Sequence, residues 1–240
     1  MAAARGCLYG LGVGPGDPEL LTLKALRLLR AAAVIAYPAP ETGDSFARGI
    51  VAQWLAPGQR EIAIRFPMRP GAASAAIYDG AAATLAAVLD EGRDVALLCQ
   101  GDPLVYGSFI SVFLRLAPRY RVEIVPGVSS VSAGAAMARF PLAAGDHSLT
   151  VIPATLAEEE LEHRIGFADA AVVIKLGRHF AKLRRVLERL DLLDRALYVE
   201  RATLENQRIA PLASVVPGTV PYFSLALVRR SAMPDDRGSS

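Results

Sequence analysis

The stretch CLYGLGVGPGDPELLTLKALRLLRAA, residues 7–32, decides the fold. Its opening seven residues form a short apolar run that reads as a strand. Gly10, Gly12, Gly14 and Gly16 with Pro15 then make a turn, and residues 18–32 repeat apolar side chains at helical spacing. Asp17 stands at the N-cap and Pro18 at the first helical position, both favourable there. Strand, tight turn and helix in that order are the first half of a crossover between parallel strands.

Outward from this unit the alternation continues. VIAY, EIAIRF, DVALLC and RVEIV read as strands. Between them lie helices across Ser45 to Leu55, Ala75 to Leu89, and from beyond Tyr106 to near Pro118. GVSSVSAGAAMARF is a small-residue helix, after which Pro141 and Gly145-Asp146 break the pattern. The reading therefore divides the chain into an N-terminal α/β domain with glycine-rich loops, residues 1–143, and a C-terminal α/β domain, residues 144–240. In the second, LTVIP, AVVIK, ALYVERA and YFSLALV read as strands of a mixed sheet. AKLRRVLERLDLL is its clear helix, with Leu183, Leu187 and Leu190 on one face.

Composition excludes several classes. With 52% hydrophobic and 21% charged residues the chain is globular rather than disordered. No apolar run approaches the roughly 20 residues that span a bilayer, and MAAARGCLYG lacks the apolar core of a secretion signal, so no membrane association and a cytoplasmic location are expected. A net charge of +2 does not support sequence-independent nucleic-acid binding. Cys7 and Cys99 lie in or beside strand-like runs and read as buried reduced thiols. His147, His163 and His179 are scattered without ligand spacing, so no metal is expected.

The glycine turn resembles a phosphate cradle, but a Walker-type loop needs Lys and Ser or Thr after its last glycine. Here Asp17, Pro18 and Glu19 follow, and their acids repel a triphosphate. The dinucleotide fingerprint places its third glycine where Asp17 stands, and Pro15 removes a backbone donor within the turn. Two further loops resemble the first. QGDPLVYGS, residues 100–108, and VPGVSSVSA, residues 125–133, each follow a strand and precede a helix, which places all three on one sheet edge. Tight turns, hydroxyls and few cations suit a neutral or cationic ligand with a ribose and an amino-acid group, such as S-adenosylmethionine, better than a polyphosphate.

With these segments in place the chain resembles the tetrapyrrole methylases. GLGVGPGDPELLTLKA, QGDPLVYGS, VPGVSSVSA, VERATLENQRI and PYFSLALV carry the resemblance, in order over nearly the whole chain. GDPLVYGS, VPGVSS and YFSLALV are most similar to members that methylate C20 of precorrin-2. Those acting on uroporphyrinogen III usually show a double glycine where this chain has Gln100-Gly101. The resemblance implies two α/β domains with the active-site cleft between them, a homodimer, S-adenosylmethionine as cofactor and precorrin-2 as substrate in cobalamin (vitamin B12) biosynthesis. The cobalt complex of that ring, uroporphyrinogen III, a later precorrin or the modified histidine of diphthine synthase are alternative acceptors. A non-catalytic nucleotide-binding module is the alternative from another class.

Residue by residue, the resemblance places Pro15, Gly101, Asp102, Val105, Ser129 and Ser130 at the cofactor, with Leu176, Ala202, Ser224 and Leu225 from the second domain. Core packing explains Leu176 and Leu225 equally well, and a turn before Pro103 is the structural alternative for Asp102. Tyr106 is an aromatic shelf for the macrocycle or a wall residue. Asp17 is the candidate for assisting the proton that leaves the methylated carbon, with helix capping as its alternative. The substrate is rich in carboxylates, so Arg48, Arg65 and Arg69 are candidates for binding them, with a solvated surface as their alternative.

Overall fold

The computed structural model describes residues 5–66 and 75–232. The chain packs as two compact units that divide between Ser130 and Val131.

The first unit is built on a five-stranded sheet of β1 (Leu8–Gly12), β2 (Val34–Pro40), β3 (Arg60–Phe66), β4 (Val95–Cys99) and β5 (Val122–Val125), in the order β3-β2-β4-β1-β5. Every pairing is parallel. Helices α1 (Leu23–Ala31) and α2 (Phe46–Val51) cover one face, with Leu28, Leu29, Ile50 and Val51 packed on Leu11, Ile35 and Leu98. Helices α3 (Ala75–Asp90) and α4 (Phe109–Leu116) cover the other, with Leu85, Leu89, Phe109 and Val112 on Leu8, Val34 and Leu97. Covered on both faces, the central strand β4 reads VALLC and is buried at every position, as parallel sheets require.

The helix expected across residues 18–32 is broken in two. Asp17 caps only a single 3₁₀ turn, Pro18–Leu20, where its Oδ1 accepts the Glu19 N–H at 2.8 Å. Leu21 is extended, and Thr22 starts α1 afresh with its Oγ1 accepting the Ala25 N–H at 3.2 Å. Two capping residues five positions apart terminate the first turn and begin the second.

The second unit has a mixed sheet of β6 (Leu149–Pro153), β7 (Ala170–Ile174), β8 (Ala196–Glu200), β9 (Arg208–Pro211) and β10 (Ser224–Arg229), in the order β6-β7-β10-β8-β9. Only β6 and β7 are parallel neighbours. Helices α6 (Glu158–Phe167) and α7 (Phe180–Arg189) cover one face through Leu161, Ile165, Leu183 and Leu187. The opposite face is covered by Val131 of α5 (Ser130–Met137) and by Ala138, Phe140 and Leu142. This packing places residues 131–142 with the second sheet, ahead of the break in sequence pattern at 143. Arg229 lies 4.2 Å over the Phe140 ring and donates to the Pro141 carbonyl, holding the segment there.

Cys7 and Cys99 are free and buried. Burial pushes both thiols above their ordinary range, which makes them poor nucleophiles. No helix among the described residues is long and apolar enough to cross a membrane.

Candidate functional site

Strands β4, β1 and β5 are neighbours, so the loops leaving their carboxyl ends are neighbours too. They meet backbone to backbone. The Gly101 N–H donates to the Gly14 carbonyl at 2.8 Å, and the Val13 N–H to the Cys99 carbonyl at 2.9 Å. A methyl group added to Gly12 would lie 2.5 Å from the Gly127 nitrogen, and one added to Gly127 would lie 2.2 Å from the Gly101 oxygen. Only glycine permits this approach.

Asp102 binds the second loop to the third. Its Oδ1 accepts the Leu104 N–H at 2.9 Å in an Asx turn, and its Oδ2 accepts the Gly127 N–H at 3.1 Å. The side chain therefore holds the shape of the cradle. Beyond it Leu104, Val105 and Tyr106 stand in a row, each about half exposed, with Tyr106 in the left-handed region at φ 56°. A tyrosine held there is strained by about 1–3 kcal/mol, and such residues cluster at ligand sites. Pro15 is buried in the first loop, while Ser129 and Ser130 lie at the start of α5. The structure thus gathers Pro15, Gly101, Asp102, Val105 and Ser129 with Asp17 and Tyr106 on the loops of one sheet edge.

The second-unit residues also share an edge. Leu176 follows β7, Ala202 follows β8, and Ser224 with Leu225 opens β10, which lies between them with Leu225 opposite Ile174 and Ser224 opposite Glu200. Their side chains separate. Leu176 is fully buried in the core under α6 and α7, whereas Ala202 and Leu225 belong to the core on the opposite face. The Ser224 hydroxyl donates to the Pro221 carbonyl at 2.7 Å. What this edge can offer a common ligand is main chain rather than side chain.

Sequence patterns gave no notice of the backbone here. Lys175, Arg201 and Thr203 all adopt positive φ, at 59°, 49° and 73°, immediately after β7 and β8. Beside them Glu200 is buried, accepting the Tyr198 hydroxyl at 2.9 Å and pairing with Arg201 at 2.7 Å. The signal available was the acid closing the apolar run ALYVE, a residue type that is buried only when paired.

The arginines are engaged by the fold itself. Arg48 forks onto Glu61 through Nε and Nη2, both at 3.0 Å, and this pairing holds the Glu61 carboxyl below its ordinary range. Arg65 Nη1 donates to the Pro40 and Glu41 carbonyls at 2.8 and 3.2 Å. Arg69 lies outside the described residues. No group of His, Cys, Asp or Glu among the described residues is arranged to hold a metal ion.

The chain is similar to known proteins along nearly its whole length. The family model of the Tetrapyrrole (Corrin/Porphyrin) Methylases matches residues 7–215. The cobalamin biosynthesis protein CobIJ of Mycobacterium bovis is 47% identical over 96% of this chain and 48% of its own length. The chain thus spans about half of that relative. A precorrin-2 C(20)-methyltransferase of Sinorhizobium sp is 42% identical over 93% of this chain and 95% of the relative. Among solved structures, a uroporphyrin-III C-methyl transferase of Thermus thermophilus complexed with S-adenyl homocysteine superposes with a TM-score of 0.68. It is 28% identical, over 93% of this chain and 97% of that one.

Proposed function

The chain belongs to the tetrapyrrole (corrin/porphyrin) methylases, and from that premise we propose that it transfers a methyl group from S-adenosylmethionine to C20 of precorrin-2, giving precorrin-3A in cobalamin biosynthesis. The observation that carries this reading is the end-to-end similarity to the Sinorhizobium enzyme, which leaves no part of either chain's fold unaccounted for.

The residues of the first edge fit an S-adenosyl group. Their glycine contacts form a cradle that any Cβ at Gly12 or Gly127 would fill, and the loop segments 12–17, 100–108 and 125–130 carry no lysine or arginine to oppose a sulfonium. Bound there, S-adenosylmethionine supplies an electrophilic methyl group that needs no further activation. In this reading Pro15, Gly101 and Ser129 shape the wall, Asp102 braces it through Gly127, and Val105 and Ser130 border it. Leu176, Ala202, Ser224 and Leu225 contribute from the second sheet edge, mainly through backbone. Tyr106 is a shelf for the macrocycle. Most of the rate then comes from positioning, for which effective molarities supply roughly 7–11 kcal/mol.

Asp17 assists the proton that the methylated carbon gives up, while its Oδ1 keeps the 3₁₀ turn in place. Arg48 and Arg65 serve substrate carboxylates only by sharing groups already bonded to Glu61 and to carbonyls, so their contribution is secondary. A homodimer in the cytoplasm completes the proposal, supported by the exposed apolar side chains Leu23, Leu114 and Phe167 and checked by light scattering.

The deciding experiment incubates the protein with labelled S-adenosylmethionine and, separately, precorrin-2, its cobalt complex and uroporphyrinogen III. A gain of one methyl at C20 of precorrin-2 is expected. Transfer only to the cobalt complex would move the acceptor to the metallated ring, and binding without transfer to any of them would overturn the enzymatic reading.

A further inference from the structure

In the first unit β2 leaves the sheet toward β3 through α2 on one face, while its neighbour β4 leaves toward β5 through α4 on the other. Adjacent strands whose connections depart in opposite directions define the switch point of an open α/β sheet, and ligands bind in the crevice outside it. The strands open there. β2 pairs with β4 only from Val34 to Ala36, yet pairs with β3 as far as Pro40. The gap holds a pocket lined by Pro38 of β2, Ile64 and Phe66 of β3, Leu97 of β4, and Ser108 and Phe109 at the start of α4. It contains about 220 Å³ of empty space including its open mouth. That is below the roughly 300 Å³ at which ligand sites begin, so it accommodates a substituent rather than a ring system or a nucleoside.

Its chemistry is one-sided. Among the described residues the lining includes no charged side chain, and its single hydroxyl, that of Ser108, forms no helix-capping hydrogen bond. A carboxylate placed here would lose its hydration without a partner, which is strongly unfavourable, whereas an alkyl group gains by burial. Acetate and propionate arms are therefore refused and ring methyl groups accepted.

We propose that the pocket at the β2–β4 opening is a specificity subsite that takes a methyl group already present on the tetrapyrrole, so that the protein selects a ring methylated earlier over the unmethylated macrocycle. This rests on the acceptor reading given above. It also assigns an order to the chemistry: a C-methylation of the same ring must precede this one.

The test is Ser108→Leu, which fills the mouth of the pocket from a partly exposed position. The KM for precorrin-2 is expected to rise about fivefold, since each buried methylene is worth about a factor of four. S-adenosylhomocysteine affinity by calorimetry and the inhibition constant of uroporphyrinogen III are expected to stay unchanged. An unaltered KM, or equal weakening of both macrocycles, would overturn the subsite. Should the leucine variant not bind S-adenosylhomocysteine, Ser108→Val carries the same comparison. Failure of the acceptor reading looks different, because the wild-type protein then transfers no methyl to precorrin-2 at all.

Discussion

At Gly127 the nearest atom to a new methyl would be a carbonyl oxygen that is itself fixed by its own loop, so the clash cannot be relieved by rotating a side chain. Gly127→Ala should lower stability by about 1–3 kcal/mol and weaken S-adenosylhomocysteine binding more than tenfold, read by thermal melting and calorimetry. Asp17 separates differently, because its cap and its charge can be removed one at a time. Asp17→Asn keeps an oxygen for the Glu19 N–H and should melt like wild type, yet turn over about a hundredfold more slowly at saturating substrate. Wild-type turnover of this variant would reduce Asp17 to a capping residue, and Asp17→Ala should then cost about 1 kcal/mol of stability and little else.

At the scale of elements, α6 and α7 are joined by charge. Glu158 accepts from Arg185 and Arg189, which hold its carboxyl at about 2 against an ordinary 4.5. A depressed carboxylate contributes stability above its unfolded value and loses it as pH falls through the folded one. The Arg189→Gln variant should therefore melt below wild type near neutrality, with the gap closing between about pH 4.5 and 2 and shrinking in high salt.

Legibility from sequence followed the same physics. The strands of the first sheet are short apolar runs punctuated by Gly and Pro, and each fell where expected. α1 did not, because Asp17 and Thr22 are both good caps and the pattern alone does not choose between one helix and two pieces. α6 escaped notice despite three acids in its first turn, since only Leu161 and Ile165 of its face are buried. β9 escaped because an edge strand with exposed residues, ending in Pro211, has little apolar pattern to show. In the site, the approach of Gly12, Gly101 and Gly127 depends on β1 lying between β4 and β5, an order that no local window contains. The separation of Leu176 from Leu225 onto opposite faces is equally non-local.

For the whole molecule, each unit has its own sheet with a core on either face. The chain's only tryptophan, Trp54, lies in the first unit under the Arg30 guanidinium, 5.2 Å from its ring. Its fluorescence reports that unit alone, while far-UV circular dichroism reports both. Without ligand the two urea transitions should not superimpose, and coincident curves would show instead that the units unfold as one.

The convergence of three turns through main chain has an evolutionary side. A wall made of peptide groups is indifferent to most side-chain replacements around it and intolerant of almost any at its glycines. A saturation library over residues 10–16, 100–108 and 125–130 should accordingly divide in two, with near-lethal scores at the glycine contacts beside broad tolerance a few positions away. Under such a regime a lineage can revise which acceptor it receives through the freely varying neighbours while the seat of the methyl donor is inherited unchanged.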